Sequence, residues 1–136
     1  MPHILVVDDE PGVRESLRML LKDEFDVTPV GDVDAAIAVL DERAVDAVLL
    51  DLVMPGRTGI DFLRELTERN DAPPVIVLSA TRAVATAVEA MKLGAADFLR
   101  KPFGFLVLVA RLRALIRRTT NAPDGVLTVG DLRVDP

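Results

Sequence analysis

Residues 4–10 read Ile4-Leu5-Val6-Val7-Asp8-Asp9-Glu10: four apolar residues with no polar alternation, then three acids in a row. An unbroken apolar run this short is what a strand covered on both faces looks like, in contrast to the alternation of a one-sided antiparallel sheet. Ala47 to Leu50, which runs into Asp51, and Val75 to Leu78, which runs into Ser79, repeat the pattern. Val27 to Val30 is a further run, and Phe98-Leu99, a weaker fifth, precedes Arg100-Lys101-Pro102. Between the runs lie stretches of helical period, in which Val13, Leu17, Leu20 and Leu21 share a face, as do Ala36, Ile37 and Leu40, then Phe62, Leu63 and Leu66, then Val84, Val88 and Met91. Asp32 and Thr58 stand where N-caps belong and Gly94 where a helix-ending glycine is favoured, and a last helix is expected from about Phe105 to Arg118. Strand and helix alternate five times, which predicts an α/β domain: a doubly wound, five-stranded parallel sheet with five helices and right-handed crossovers. Ligands of such sheets bind beyond the carboxyl ends of the strands, where the strand order reverses.

The 136 residues suit one full domain, and a chain half apolar and 28% charged can bury a core. With no cysteine and a single histidine, His3, disulfide, thiolate-metal and multi-histidine chemistry are excluded. No apolar run approaches ~18 residues and the N-terminus lacks a signal-peptide pattern, so a cytoplasmic location and no membrane partner are expected. The net charge of −6 disfavours unspecific attraction to nucleic acid. That charge is uneven: residues 1–97 hold 19 acids against 9 bases, whereas 98–118 hold six bases and no acid. After Arg118 the period stops. The expected organisation is one domain over residues 1–118, a linker over 119–125, and over 126–136 the start of a second domain whose remainder is missing.

The predicted strand ends gather Asp8, Asp9 and Glu10, then Asp51, then Ser79, then Lys101 at one rim. Three carboxylates brought together repel one another unless something positive sits among them. With oxygen ligands alone, a hard cation such as Mg²⁺ or Mn²⁺ is favoured over Zn²⁺. Mg²⁺ usually keeps waters and takes an anionic oxygen, so a phosphate is expected beside it. A carboxylate sharing a metal with a phosphoryl group can be the nucleophile, and Asp51 is the central candidate, with Lys101 and Ser79 supplying donors to the developing charge. Each residue alone has an ordinary explanation: Asp51 as a turn former, Glu10 as a first-turn helix acid, Phe98 as core. It is their joint occurrence at successive strand ends that points to a site.

These same segments, with Leu49-Leu50-Asp51-Leu52-Val53-Met54-Pro55-Gly56 and Gly94-Ala95-Ala96-Asp97-Phe98-Leu99-Arg100-Lys101-Pro102-Phe103, resemble the receiver domain of bacterial two-component response regulators, the CheY-like family, over residues 3 to about 118. The resemblance implies a flavodoxin/CheY-like fold and a phosphorylation-driven signalling switch in place of a turnover enzyme. In it Asp51 is the phosphoacceptor, loaded by a sensor histidine kinase or a small donor such as acetyl phosphate. Mg²⁺ would be bound by Asp9, Asp51 and the Val53 carbonyl, with Asp8 acting through water. Lys101 would pair with the phosphoryl group, while Ser79 and the aromatic Phe98 act as the switch. The Lys101-Pro102 bond is expected to be cis, and Val53 and Thr81 stand where the family tunes phosphoryl lifetime.

Residues 124–134 are similar to the opening strands of an OmpR/PhoB-type winged-helix effector, although residues 87–94 look more like regulators of the NtrC or FixJ type. DNA would be read only by the missing effector domain. OmpR/PhoB-type receivers form homodimers through the fourth helix, fifth strand and fifth helix, and Asp97 and Arg111 match two positions of that interface. Phe105, Leu108, Leu112 and Leu115 can face the sheet, which leaves Leu106, Val107 and Val109 outside as an apolar contact. Three other readings fare worse. An Mg²⁺-dependent phosphatase would want an acid where Val53 stands. A flavodoxin-like nucleotide binder would want a Gly-, Ser- or Thr-rich first loop where the acids stand. A receiver-like module that is never phosphorylated would not need the full set of Asp8, Asp9, Asp51, Ser79 and Lys101.

Overall fold

The computed structural model describes residues 1–53, 58–80 and 83–120. Its elements are β1 (His3–Val7), α1 (Pro11–Leu21), β2 (Asp26–Val30), α2 (Val33–Glu42), β3 (Ala47–Asp51), α3 (Gly59–Thr67), β4 (Val75–Ser79), α4 (Val84–Lys92), β5 (Asp97–Arg100) and α5 (Phe105–Thr120). The strands form one parallel sheet in the order β2-β1-β3-β4-β5. The chain steps from β1 to one side for β2 and crosses back for β3, so the order reverses between β1 and β3.

The unbroken runs have the cause read from them. Leu5, Val7, Val48, Leu50, Val75 and Val77 point into a core under α2, α3 and α4, while Ile4, Val6, Leu49, Ile76 and Leu78 point into a second core under α1 and α5. Each strand therefore needs apolar residues at both parities. The caps fall as expected: Asp32 accepts from the Ala35 N–H at 2.8 Å, Thr58 accepts from the Asp61 N–H at 3.1 Å, and Gly94 takes φ +112° after α4.

Two apolar faces are less buried than a core-facing stripe would be, and one expectation is corrected. Leu20 lies at the margin of the α1 stripe and is half exposed, in contrast to buried Leu17 and Leu21. On α4 the apolar face points outward: Val84 is 75% and Val88 45% exposed, and the residue that packs fully inward is Ala90. Val109, placed outside by the sequence pattern, is 6% exposed, because α5 packs on the sheet and also on α1 and the turn after it, where Leu17, Leu21 and Phe25 share its core. α5 also continues to Thr120, two residues into the expected linker, since no breaker precedes Pro123. The rest of that linker, residues 126–136, Met54-Pro55-Gly56 and Thr81 lie outside the described residues. Among those described, no helix is long and apolar enough to cross a membrane.

Candidate functional site

The strand-order reversal brings the end of β1 beside the end of β3, and the site is built there. Asp8 and Asp51 are buried and Asp9 is half-buried, and each offers a carboxylate oxygen within 4.8 Å of the other two. Lys101 enters from the turn after β5, held by its N–H donating to the Ser79 carbonyl at 2.8 Å and followed by a cis Lys101-Pro102 bond, as expected. Its Nζ lies 3.1 Å from Asp8 Oδ2, 3.7 Å from Asp51 Oδ2 and 4.0 Å from Glu10 Oε1. Ser79 ends β4 fully buried, and Phe98 on β5 is half-buried against the core beneath α4. The rim expected to gather Asp8, Asp9, Asp51, Ser79 and Lys101 does so.

Local hydrogen bonds hold the acids. The Glu10 N–H donates to Asp8 Oδ1 at 2.9 Å and the Val53 N–H to Asp51 Oδ1 at 3.1 Å. Glu10 itself is the exposed N-cap residue of α1, with no side-chain cap bond. Burial pushes the Asp51 carboxyl above the ordinary aspartate range; the Val53 N–H and Lys101 pull it down, and Asp8 and Asp9 add to the rise. A desolvated carboxylate flanked by two more, with a single ammonium among them, is short of positive charge among the described residues. The donor set, all hard oxygen at close quarters, fits Mg²⁺.

Gly59 explains how α3 can start so close to this site. A β-carbon there would lie 2.4 Å from Leu52 Cα and 2.7 Å from the Asp51 carbonyl oxygen. Sequence reasoning passed over Gly59, and also Arg14, whose Nη1 donates to the Asp8 carbonyl at 2.7 Å. The available signal for Arg14 was its place in the first turn of α1, from which a long side chain leans back over the helix start.

The expected interface residues separate. Arg111 pairs with Asp97 of the same chain at the β5 edge. Leu106, 79% exposed, lines a hollow of 150 Å³ with Leu20 and Arg113 on the α1 side. Val107 lies one residue, about 100°, further round α5. The pattern Leu106, Val107, Val109 is thus two flanks and one buried residue.

Residues 4–113 match the family described as response regulator receiver domain. The chain is 40% identical over 134 residues to the DNA-binding response regulator MtrA of Mycolicibacterium smegmatis, covering 98% of this chain and 58% of that protein. It thus spans less than two thirds of the length of such curated relatives. Among solved structures it resembles the Francisella response regulator 1452 receiver domain, with a TM-score of 0.82, 31% identity and coverage of 88% of this chain and 99% of that one. The BeF3-activated N-terminal receiver domain of Klebsiella pneumoniae RstA is similar too, with a TM-score of 0.79, 30% identity and coverage of 85% and 98%.

Proposed function

Because the chain belongs to the response regulator receiver domain family, we propose that it accepts a phosphoryl group on Asp51 and uses it to change the partners of its β5 edge. The observation that carries this is the meeting of Asp8, Asp9, Asp51 and Lys101 at the one place where the strand order reverses. Asp9, Asp51 and the Val53 carbonyl would hold Mg²⁺, with Asp8 acting through water. Bound there, the ion neutralises charge on the acids and on the transferred group. An Asp51 oxygen attacks phosphorus, the new O–P bond forming as the bond to the donor's histidine nitrogen or acyl oxygen breaks and the donor leaves with the electron pair. Lys101, already among the carboxylates, turns its ammonium to the phosphoryl oxygens, and Ser79 and Phe98 rearrange around it. An open groove bordered by Val13, Leu17, Leu20 and Phe103 begins at Lys101 and gives a sensor histidine kinase an apolar surface beside the reacting atoms.

The output is a homodimer formed through α4, β5 and α5. Val84, Val88 and Met91 of α4 and Val107 of α5 supply its apolar part, and the Asp97–Arg111 pair is free to exchange partners across the two-fold axis. DNA is reached through an effector domain beyond residue 126, as the name of MtrA suggests for that relative. The protein works as a cytoplasmic switch whose chemistry is confined to its own phosphorylation and dephosphorylation.

Amide NMR with Mg²⁺ and beryllofluoride tests this reading. Shifts at Ser79, Phe98 and along α4 and β5, absent in Asp51→Asn, are expected; an unchanged spectrum of the native chain contradicts it. Sedimentation of the same samples should show a dimer that Val107→Glu disrupts.

A further inference from the structure

Asp8 is gripped at every polar atom. Its N–H donates to the Val30 carbonyl at 3.1 Å, Oδ1 accepts from the Glu10 N–H at 2.9 Å, and Oδ2 faces Lys101 Nζ at 3.1 Å. Its carbonyl oxygen accepts from Arg14 Nη1 at 2.7 Å. The first three contacts belong to the sheet, the turn and the site. The fourth reaches in from α1 and has no part in the chemistry described so far.

Arg14 is half-buried in the first turn of α1 and, among the described residues, forms no ion pair. A guanidinium in an acid-rich neighbourhood ordinarily takes a carboxylate in a two-pronged pairing. This one is aimed at a neutral carbonyl, that of the peptide joining Asp8 to Asp9. Fixing that peptide fixes the direction in which the chain leaves β1, and with it the approach of the Asp9 carboxylate to those of Asp8 and Asp51. Room for the guanidinium is provided across the sheet by Gly31, just after β2: a β-carbon there would lie 2.9 Å from Arg14 Nη1 and 3.4 Å from its Cζ. The backbone of Gly31 is not left-handed, so its missing side chain matters for space alone.

We propose that Arg14 is a positioning residue for the cation site, holding the Asp8–Asp9 peptide so that the three carboxylates converge, and that Gly31 is the residue that admits it. This rests on the reading that Asp8, Asp9 and Asp51 take up Mg²⁺. It also fixes a sign. If Arg14 acted only through its charge, removing a cation beside a cation site would tighten Mg²⁺ binding; if it positions ligands, removing it weakens binding.

The test is calorimetric titration with MgCl₂ of the native chain, Arg14→Ala, Gly31→Ala and the double variant, with melting in chelator as a check on folding. Arg14→Ala is expected to raise the Mg²⁺ Kd ~10-fold, the scale on which residues that orient metal ligands act. Gly31→Ala should move it the same way by a smaller factor, and should add nothing once Arg14 is gone. Since an added methyl at position 31 displaces only the end of a flexible side chain, Gly31→Ala carries the test alone if Arg14→Ala does not fold. Unchanged or tighter binding in the variant that folds, or additive effects in the double variant, overturns the inference. A native chain that binds no Mg²⁺ overturns the reading on which it rests, and the inference with it.

Discussion

Asp51 is held as a carboxylate at a cost. Burial raises its pKa and the neighbouring acids add to the rise, so the folded protein releases that proton less readily than the unfolded chain, which ionises it in the ordinary aspartate range. In chelator, then, the stability linked to Asp51 is fully present below the unfolded pKa and is lost as pH rises through the folded one. Asp51→Asn should therefore melt higher than the native chain at neutral pH without Mg²⁺, with the gap closing as pH falls into the carboxylate range. Parallel melting curves at all pH values would contradict this. Lys101→Met should leave the fold intact and slow phosphoryl uptake from acetyl phosphate ~10²-fold or more, the usual effect of deleting one preorganised charge-stabilising donor. At this scale Asp8, Asp9, Asp51, Ser79 and Lys101 were legible because each stands at, or one residue past, the end of an apolar run. Arg14 was not, since its partner is a backbone carbonyl six residues back, just past the end of β1, and a backbone contact leaves no mark in residue type.

Among the elements, α3 is the one tied most closely to the site. Gly59→Ala would drive a methyl into the backbone of Asp51 and Leu52, and roughly 3 kcal/mol of destabilisation is expected by urea unfolding. Leu112→Ala, which empties a fully buried position on α5, should cost about 3 kcal/mol by cavity formation, remote from the acids. α4 shows why periodicity alone can mislead. Val84, Val88 and Met91 do share a face, but period tells which residues are together and not which way they look. α4 packs inward through Ala90, a side chain too small to stand out in a hydrophobic pattern. On α5 the error was of width: one stripe was assumed to serve the sheet, whereas the helix also covers α1 and so buries Val109. Val88→Glu should change stability by no more than about 0.5 kcal/mol, as an exposed substitution does, yet reduce dimer formation of the phosphorylated protein. Unaltered sedimentation would count against the α4 face.

At the scale of the whole molecule, the order β2-β1-β3-β4-β5 turns separate strand ends into one site. The sheet's class and the rim's residues were readable from the runs, but the order was not, because unbroken apolar strands look alike and carry no record of their neighbours. The asymmetry of charge survives folding: the acids crowd the rim at β1 and β3, while α5 carries Arg111, Arg113, Arg117 and Arg118. Phosphorylation of Asp51 would add negative charge where it is already concentrated, and with Mg²⁺ the cation set against it among the described residues would be Lys101, so uptake should fail in chelator. The most direct measurement is the intact mass of the chain after incubation with acetyl phosphate and Mg²⁺, beside Asp51→Asn and a chelator control. One added phosphoryl group that is labile to hydroxylamine, and absent from both controls, is the predicted result. An equal mass gain in Asp51→Asn, or none in the native chain with Mg²⁺ bound, would contradict the account.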